Sequence, residues 1–370
     1  MARISPRRLS VRVKNSSYPI VVGMHLEKEL VKALRRQGKR RIAIIADTTT
    51  RRLFADRLGR FLKKEGWSVE VIHFQSGEKS KNQNTVARVQ EKLLRKKFDR
   101  DTLVVALGGG VVGDVAGYVA ATYLRGVPYI QVPTTLLAMV DSSVGGKVGI
   151  DTKYGKNMIG AFYQPRAVVA DLAFISSLSK QQVVNGLIEA VKKFMTSEER
   201  SLSLVEKLDP AHPLGNPRVL QEIVYRSVRI KARVVMKDEE EKNERKILNF
   251  GHTIGHAVEF LSGYTLPHGF AVAYGILVES KISELLGILS PRESATVAAY
   301  LRRFGITASG LKKYPVARIL RAVKGDKKVR SGVAHYVLLR RLGSVYTKGG
   351  QYAHPVPERI VRRAYKLLVK

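Results

Sequence analysis

Between residues 189 and 268 the chain carries one carboxylate and three imidazoles in motif-like settings. Glu189 lies in Gly186-Leu-Ile-Glu-Ala-Val-Lys192, His252 and His256 in Asn249-Phe-Gly-His-Thr-Ile-Gly-His256, and His268 in Pro267-His-Gly269. One Glu with two of these His would suffice for a catalytic zinc with an open coordination position. His252 and His256, four apart on a helix, share one face and could chelate as a pair. A zinc-peptidase arrangement fails, because Thr253 sits where the Glu base should follow the first His. With no Cys in the sequence, thiolate ligands and disulfides are excluded, and any metal must be held by nitrogen and oxygen.

A second chemical feature lies upstream. Gly108-x-Gly110-x-x-Gly113 follows the apolar run Leu103 to Leu107 and opens the small-residue stretch Val111 to Thr122. Its glycines let backbone N–H groups approach a pyrophosphate, which a helix N-terminus also attracts. The acid usually found about 20 residues further on is missing, so the loop is not a standard dinucleotide unit. Asp47 and Glu78 are the candidate ribose partners instead.

These groups need elements to hold them. Up to about residue 175, β-rich runs at 41–46, 69–74, 102–107, 129–132 and 167–170 alternate with helical periodicity at 49–64 and 82–97, which predicts a parallel sheet. Beyond residue 176 helical patterns dominate, at 180–196, 217–238, 248–261, 269–286 and 291–303, and 334–339 is the one later strand candidate. The expected fold is an α/β domain, residues 1–176, followed by a mainly helical domain, residues 177–370. At 370 residues the chain is long enough for two cores.

The formal charge is +34, from 65 Lys and Arg against 31 Asp and Glu. Such a surplus raises nucleic acid, acidic membrane and anionic metabolites as partners. The cations are dispersed and accompany no nucleic-acid-binding motif, so a small anionic substrate is expected and nucleic acid is not. No continuous apolar segment reads as a secretion signal or membrane span, and a cytoplasmic setting is expected.

Reading on from the glycine loop gives Gly113-Asp-Val-Ala-Gly117, Arg125-Gly126, Pro133-Thr-Thr-Leu-Leu-Ala138, Val140-Asp-Ser-Ser-Val-Gly-Gly-Lys147, Gly155-Lys-Asn157 and Asp326-Lys-Lys328. With the histidine segments, these motifs run in order from about Asp47 to Lys328 and resemble the 3-dehydroquinate synthase family. The resemblance implies a Rossmann-like NAD-binding domain, a mainly helical metal- and substrate-binding domain, and an active site in the cleft between them. It further implies conversion of 3-deoxy-D-arabino-heptulosonate 7-phosphate to 3-dehydroquinate and phosphate, by oxidation, phosphate β-elimination, reduction, ring opening and aldol closure. NAD+ would be recycled in each turnover, beside one divalent metal, Zn2+ or Co2+, in a homodimer.

By the same resemblance Glu189, His252 and His268 are the metal ligands and His256 faces substrate. Asp47, Glu78, Lys81, Gly109, Gly110, Val111, Asp114, Thr134, Thr135, Asp141, Lys156 and Ser177 look like NAD contacts. Arg125, Lys147, Asn157, Lys192, Lys231, Arg245, Asn249 and the pair Lys327 and Lys328 look like the cage for the substrate's phosphate and carboxylate, which cations and amides suit. The chain departs from the family pattern at Phe270, where the family usually has Glu, and at His335, often Arg. If that Glu orients a metal ligand, another group must orient His268 here. Other sugar-phosphate cyclases share fold, NAD and metal but act on other phosphorylated sugars, and glycerol-1-phosphate dehydrogenase is a more distant alternative.

Overall fold

The computed structural model describes residues 4–324 and 334–370. Lys327 and Lys328 lie outside the described residues. By their contacts the residues fall into two compact units, Met1–Ser179 with Ala211–Met236, and Lys180–Pro210 with Lys237–Lys370.

The first unit is built on a seven-stranded sheet in the order β1-β2-β9-β6-β5-β3-β4. Its strands are β1 (Arg7–Val13), β2 (Ser16–Gly23), β3 (Arg41–Asp47), β4 (Ser68–Phe74), β5 (Thr102–Gly108), β6 (Tyr129–Pro133) and β9 (Ala167–Asp171). Only β1 is antiparallel to its neighbour; the other five pairings are parallel. β5 is buried along its whole length, as its unbroken apolar sequence demands of a central parallel strand. Helices α1 (Glu27–Arg35), α2 (Thr48–Thr50), α3 (Asp56–Lys64), α4 (Gln83–Arg95) and α5 (Gly110–Thr122) supply the covering layers. Val86, Val89, Val115 and Val119 pack with Val104 and Ala106 in one core cluster, while Leu30, Leu34 and Leu62 pack with Ile42, Ile44 and Val105 in the other.

Chain order reverses across β3 and β5, because β4 lies on the outer side of β3 and β5 on its inner side. In sheets of this kind ligands bind beyond the carboxyl ends of the strands at such a switch point. Two hairpins went unread in the sequence: β1 with β2, and β7 (Lys147–Thr152) with β8 (Gly155–Phe162). Both have strands that alternate weakly, and that is why periodicity alone passed them over.

The second unit contains α6 (Lys180–Ser197), α7 (Leu202–Glu206), α9 (His252–Leu261), α10 (His268–Leu285), α11 (Pro291–Arg302), α12 (Val316–Lys324) and α13 (Glu358–Val369). The expected late strand is two short ones, β10 (His335–Tyr336) and β11 (Leu339–Arg341). The intervening helix α8 (Pro217–Lys237) packs within the first unit, although a division at residue 176 would assign it to the second. The Gln221 amide donates to the Ser5 and Val22 carbonyls at 2.9 and 3.0 Å, and Arg7 pairs with Glu222 at 2.7 Å. Its apolar face, Leu220, Ile223, Val224 and Val228, is buried. Among the described residues no helix is long and apolar enough to cross a membrane.

Candidate active site

Within the second unit, α6, α9 and α10 bring one carboxylate and three imidazoles together. The approach of α9 to α10 is set by glycine: a Cβ on Gly275 would lie 1.8 Å from the Gly251 carbonyl oxygen. Glu279 of α10 is fully buried and caps α9, its carboxylate accepting from the Gly251 and Ile254 N–H groups at 2.7 and 3.4 Å. A carboxylate at a helix N-terminus gains from the helix dipole. At the start of α10 the Asn185 side chain of α6 accepts from the Gly269 N–H at 2.7 Å. His252 and His268 are the first residues of their helices, so these two caps fix where both imidazoles begin.

Glu189, Lys192 and Lys193 share one face of α6 and are essentially inaccessible to solvent. Glu189 Oε2 lies 2.6 Å from the Lys192 ammonium and 3.6 Å from that of Lys193. Its Oε1 lies 3.8 Å from Nε2 of both His252 and His268. His252 Nδ1 is 3.1 Å from the Phe250 carbonyl, to which it donates, and His268 Nδ1 is 3.2 Å from Glu259 Oε2. Burial opposes an imidazolium at His268, but the hydrogen bond and charge of Glu259 and the charge of Glu189 prevail and raise its pKa.

The ligand atoms of Glu189, His252 and His268 all lie within 4.8 Å of one another. Zinc–ligand bonds of about 2.0–2.2 Å hold donor atoms roughly 3.3–4 Å apart, so this set fits a divalent metal in both donor type and spacing. His256 takes no part in that triangle. Its ring centroid is 5.2 Å from that of His252 and 6.1 Å from that of His268, and it falls instead into a group with Glu259 and His268. The pairing of His252 with His256 that helix spacing alone would permit is not what this geometry favours.

Arg245 and Asn249 of the same unit sit in the segment before α9. Asp238 organises that segment by accepting from the Lys242, Asn243 and Arg245 N–H groups at 2.8, 2.7 and 3.0 Å. Arg245 is buried and donates to the Glu239 carbonyl, and Asn249 donates to Glu241.

The first unit gathers the other predicted residues. Gly109 caps α5 and Gly110 begins it, at the carboxyl end of β5 beside the switch point. The buried Lys81 ammonium donates to Asp114 and Asn157 side-chain oxygens, both at 2.5 Å. Burial works against its charge, but Asp114, Glu78 and Asp151 outweigh that and raise the Lys81 pKa. Lys156 pairs with Glu78 at 3.2 Å. Lys231, on α8, reaches Asp141 through the carboxylate at 3.0 Å and the carbonyl at 2.8 Å.

Other predicted residues already have local work. Asp47 caps α2, with Oδ1 accepting from the Thr50 N–H at 2.7 Å, and Thr135 Oγ1 accepts from the Ala138 N–H at 3.2 Å. Thr134 is buried, its N–H donating to the Gly108 carbonyl at 2.9 Å. Ser177 donates to the Phe174 carbonyl at 2.8 Å. Val111 lies in the first turn of α5, while Lys147 is exposed at the start of β7 with its ammonium 5.9 Å from the Phe162 ring centre. Arg125 is exposed and, like Leu124 before it, left-handed, with φ of 67° and 49°.

Asn185, Lys193, Glu259 and Glu279 went unread in the sequence. Two had a signal. Asn185 precedes Glu189 by four residues, and Glu259 follows His256 by three and His252 by seven, spacings that share a helix face. Glu279, one of two acids in α10, had none.

Residues 71–185 match the 3-dehydroquinate synthase N-terminal family and residues 186–329 the 3-dehydroquinate synthase C-terminal family. A 3-dehydroquinate synthase of Pelobacter propionicus is 40% identical over 337 residues, covering 90% of this chain and 94% of its own. One of Symbiobacterium thermophilum is 41% identical over 334 residues, covering 89% and 92%. Among solved structures, 2-deoxy-scyllo-inosose synthase complexed with carbaglucose-6-phosphate, NAD+ and Co2+ superposes with a TM-score of 0.89 at 25% identity, over 98% of this chain and all of that one. A 2-epi-5-epi-valiolone synthase from Streptomyces hygroscopicus subsp. jinggangensis 5008, with NAD+ and Zn2+ bound, has the same fold, with a TM-score of 0.85 at 24% identity and 99% coverage of both chains. The chain belongs to the 3-dehydroquinate synthase family.

Proposed function

We propose that this member of the 3-dehydroquinate synthase family converts 3-deoxy-D-arabino-heptulosonate 7-phosphate to 3-dehydroquinate and phosphate, with recycled NAD+ and one divalent metal, zinc in first place. The observation that carries the cofactor half of this reading is the Glu189, His252 and His268 triangle, whose donors and spacing suit such a metal. When bound, NAD+ supplies reversible oxidation and the metal supplies Lewis-acid polarisation of substrate oxygen.

The chain's own residues do the rest. Glu189, His252 and His268 hold the metal, and Lys192 holds the Glu189 carboxylate. Lys192, Arg245 and Asn249 in the second unit, and Arg125, Lys147, Asn157 and Lys231 in the first, are the proposed partners of the substrate's phosphate, carboxylate and hydroxyls. His256 lies outside the ligand triangle and has a reference pKa near neutrality, so it is the group assigned to move a proton. Gly109, Gly110 and Val111 offer backbone N–H groups to the cofactor pyrophosphate at the α5 N-terminus. Asp47, Glu78, Lys81, Asp114, Thr134, Thr135, Asp141, Lys156 and Ser177 complete the proposed NAD+ contacts, and the working unit is a homodimer.

The test is phosphate release from the heptulosonate phosphate at catalytic NAD+, with and without a chelator. Release that stops on chelation and returns with zinc is expected. Net NADH accumulation, or indifference to the chelator, defeats the proposal. A second reading, action on another phosphorylated sugar, has the high structural similarity to 2-deoxy-scyllo-inosose synthase in its favour. Running both substrates in the same assay decides it.

A further inference from the structure

His268 stands between two carboxylates. Its Nε2 faces Glu189 Oε1 at 3.8 Å, and its Nδ1 faces Glu259 Oε2 at 3.2 Å. Glu259 is itself buried, although it sits on α9 and its helix neighbours Ile254, Ala257 and Val258 are core residues. A buried carboxylate needs a partner to offset its desolvation. We propose that Glu259 is the positioning residue for His268: by accepting the Nδ1 proton it fixes the imidazole with Nε2 toward Glu189 and His252.

The two histidines of the triangle are then held by different means. His252 donates Nδ1 to the Phe250 carbonyl at 3.1 Å, a partner no side-chain replacement can remove. His268 depends on a side chain. Phe270, two residues on, offers no acceptor, and the acid that meets His268 comes from α9. This assignment rests on the proposed metal reading, because only a bound ion makes the orientation of Nε2 consequential.

The experiment uses full-length protein stripped of metal, titrated with zinc against a chromophoric competitor and with Co2+ followed by its visible absorption. The unchanged protein, Glu259→Gln and Glu259→Leu are compared, with thermal unfolding as a check on folding. One zinc equivalent is expected throughout. Glu259→Leu loses affinity by roughly 10–100-fold, as removal of an outer-shell partner does, and shifts the Co2+ bands. Glu259→Gln keeps an acceptor oxygen and loses less, so it also reports if Glu259→Leu fails to fold. Unchanged affinity and spectrum in Glu259→Gln and Glu259→Leu would overturn the assignment. So would a second equivalent bound by the unchanged protein and lost in both variants, since Glu259 would then be a ligand in the group with His256 and His268. Failure of the unchanged protein to bind zinc or Co2+ at all would instead defeat the metal reading itself.

Discussion

In the first unit the acids and cations assigned to cofactor and substrate are largely paired with one another, Lys81 with Asp114 and Lys231 with Asp141, or employed as caps, as Asp47 is. In the second unit the arrangement is convergent: side chains from three helices surround Glu189, and the partners that aim them, Phe250 and Glu259, stand one layer further out. The difference suits the ligands proposed for the two units. A pyrophosphate is met mostly by backbone N–H groups at a helix N-terminus, and these are fixed once the strand, loop and helix form. A metal is met by side chains, each with rotamers of its own, and something must hold every one of them.

The largest test of this contrast is Glu189→Ala. It leaves the Lys192 and Lys193 ammoniums buried without their shared carboxylate, which should cost about 3–5 kcal/mol by chemical denaturation and abolish metal binding by mass spectrometry and competition. A stable variant that still binds zinc would break the convergent picture. His256→Ala should retain one metal equivalent while turnover falls by about 10²–10⁴-fold, the usual worth of a positioned acid or base. Loss of zinc from that variant would move His256 into the ligand set.

In the first unit, Lys81→Met should raise the KM for NAD+ by roughly tenfold to a hundredfold, equivalent to about 1.5–3 kcal/mol for a hydrogen bond to a charged group, at unchanged metal content. A fall in metal content would show that the two clusters are not separable. The smallest effect is expected at Asp47. Asp47→Ala should cost about 1 kcal/mol of stability through the lost α2 cap, whereas Asp47→Asn keeps the acceptor and should spare stability. Any rise in the KM for NAD+ that Asp47→Asn shows then isolates the ribose contact from the cap.

How far the sequence reached differs between the units for the same reason. The glycine loop was legible because it is local: a strand, a turn and a helix N-terminus lie within a dozen residues, and the structure has them so at β5 and α5. Five of the six parallel strands, β3, β4, β5, β6 and β9, were legible from their β-rich runs, and β2 was not. The membership of α8 was not, because an amphipathic helix says that it has a buried face and not what covers it; Gln221 and Glu222 decide that through Ser5, Val22 and Arg7, about 200 positions away in sequence.

By itself, the sequence determined which residue types are available, one Glu and three His with no Cys, so that any metal would be held by nitrogen and oxygen, and it determined the family. Helix spacing alone left open which two imidazoles would share an ion, since His252 and His256, four apart, are an equally good pair on a helix; the family resemblance pointed to His252 and His268. What only tertiary structure decided is which of these side chains stand together. Gly251 and Gly275 let α9 and α10 approach, Glu279 and Asn185 pin the first turns of both, and Nε2 of His252 and of His268 consequently face the same Glu189 oxygen. Distance between helices is a property of packing, and no spacing along the chain encodes it.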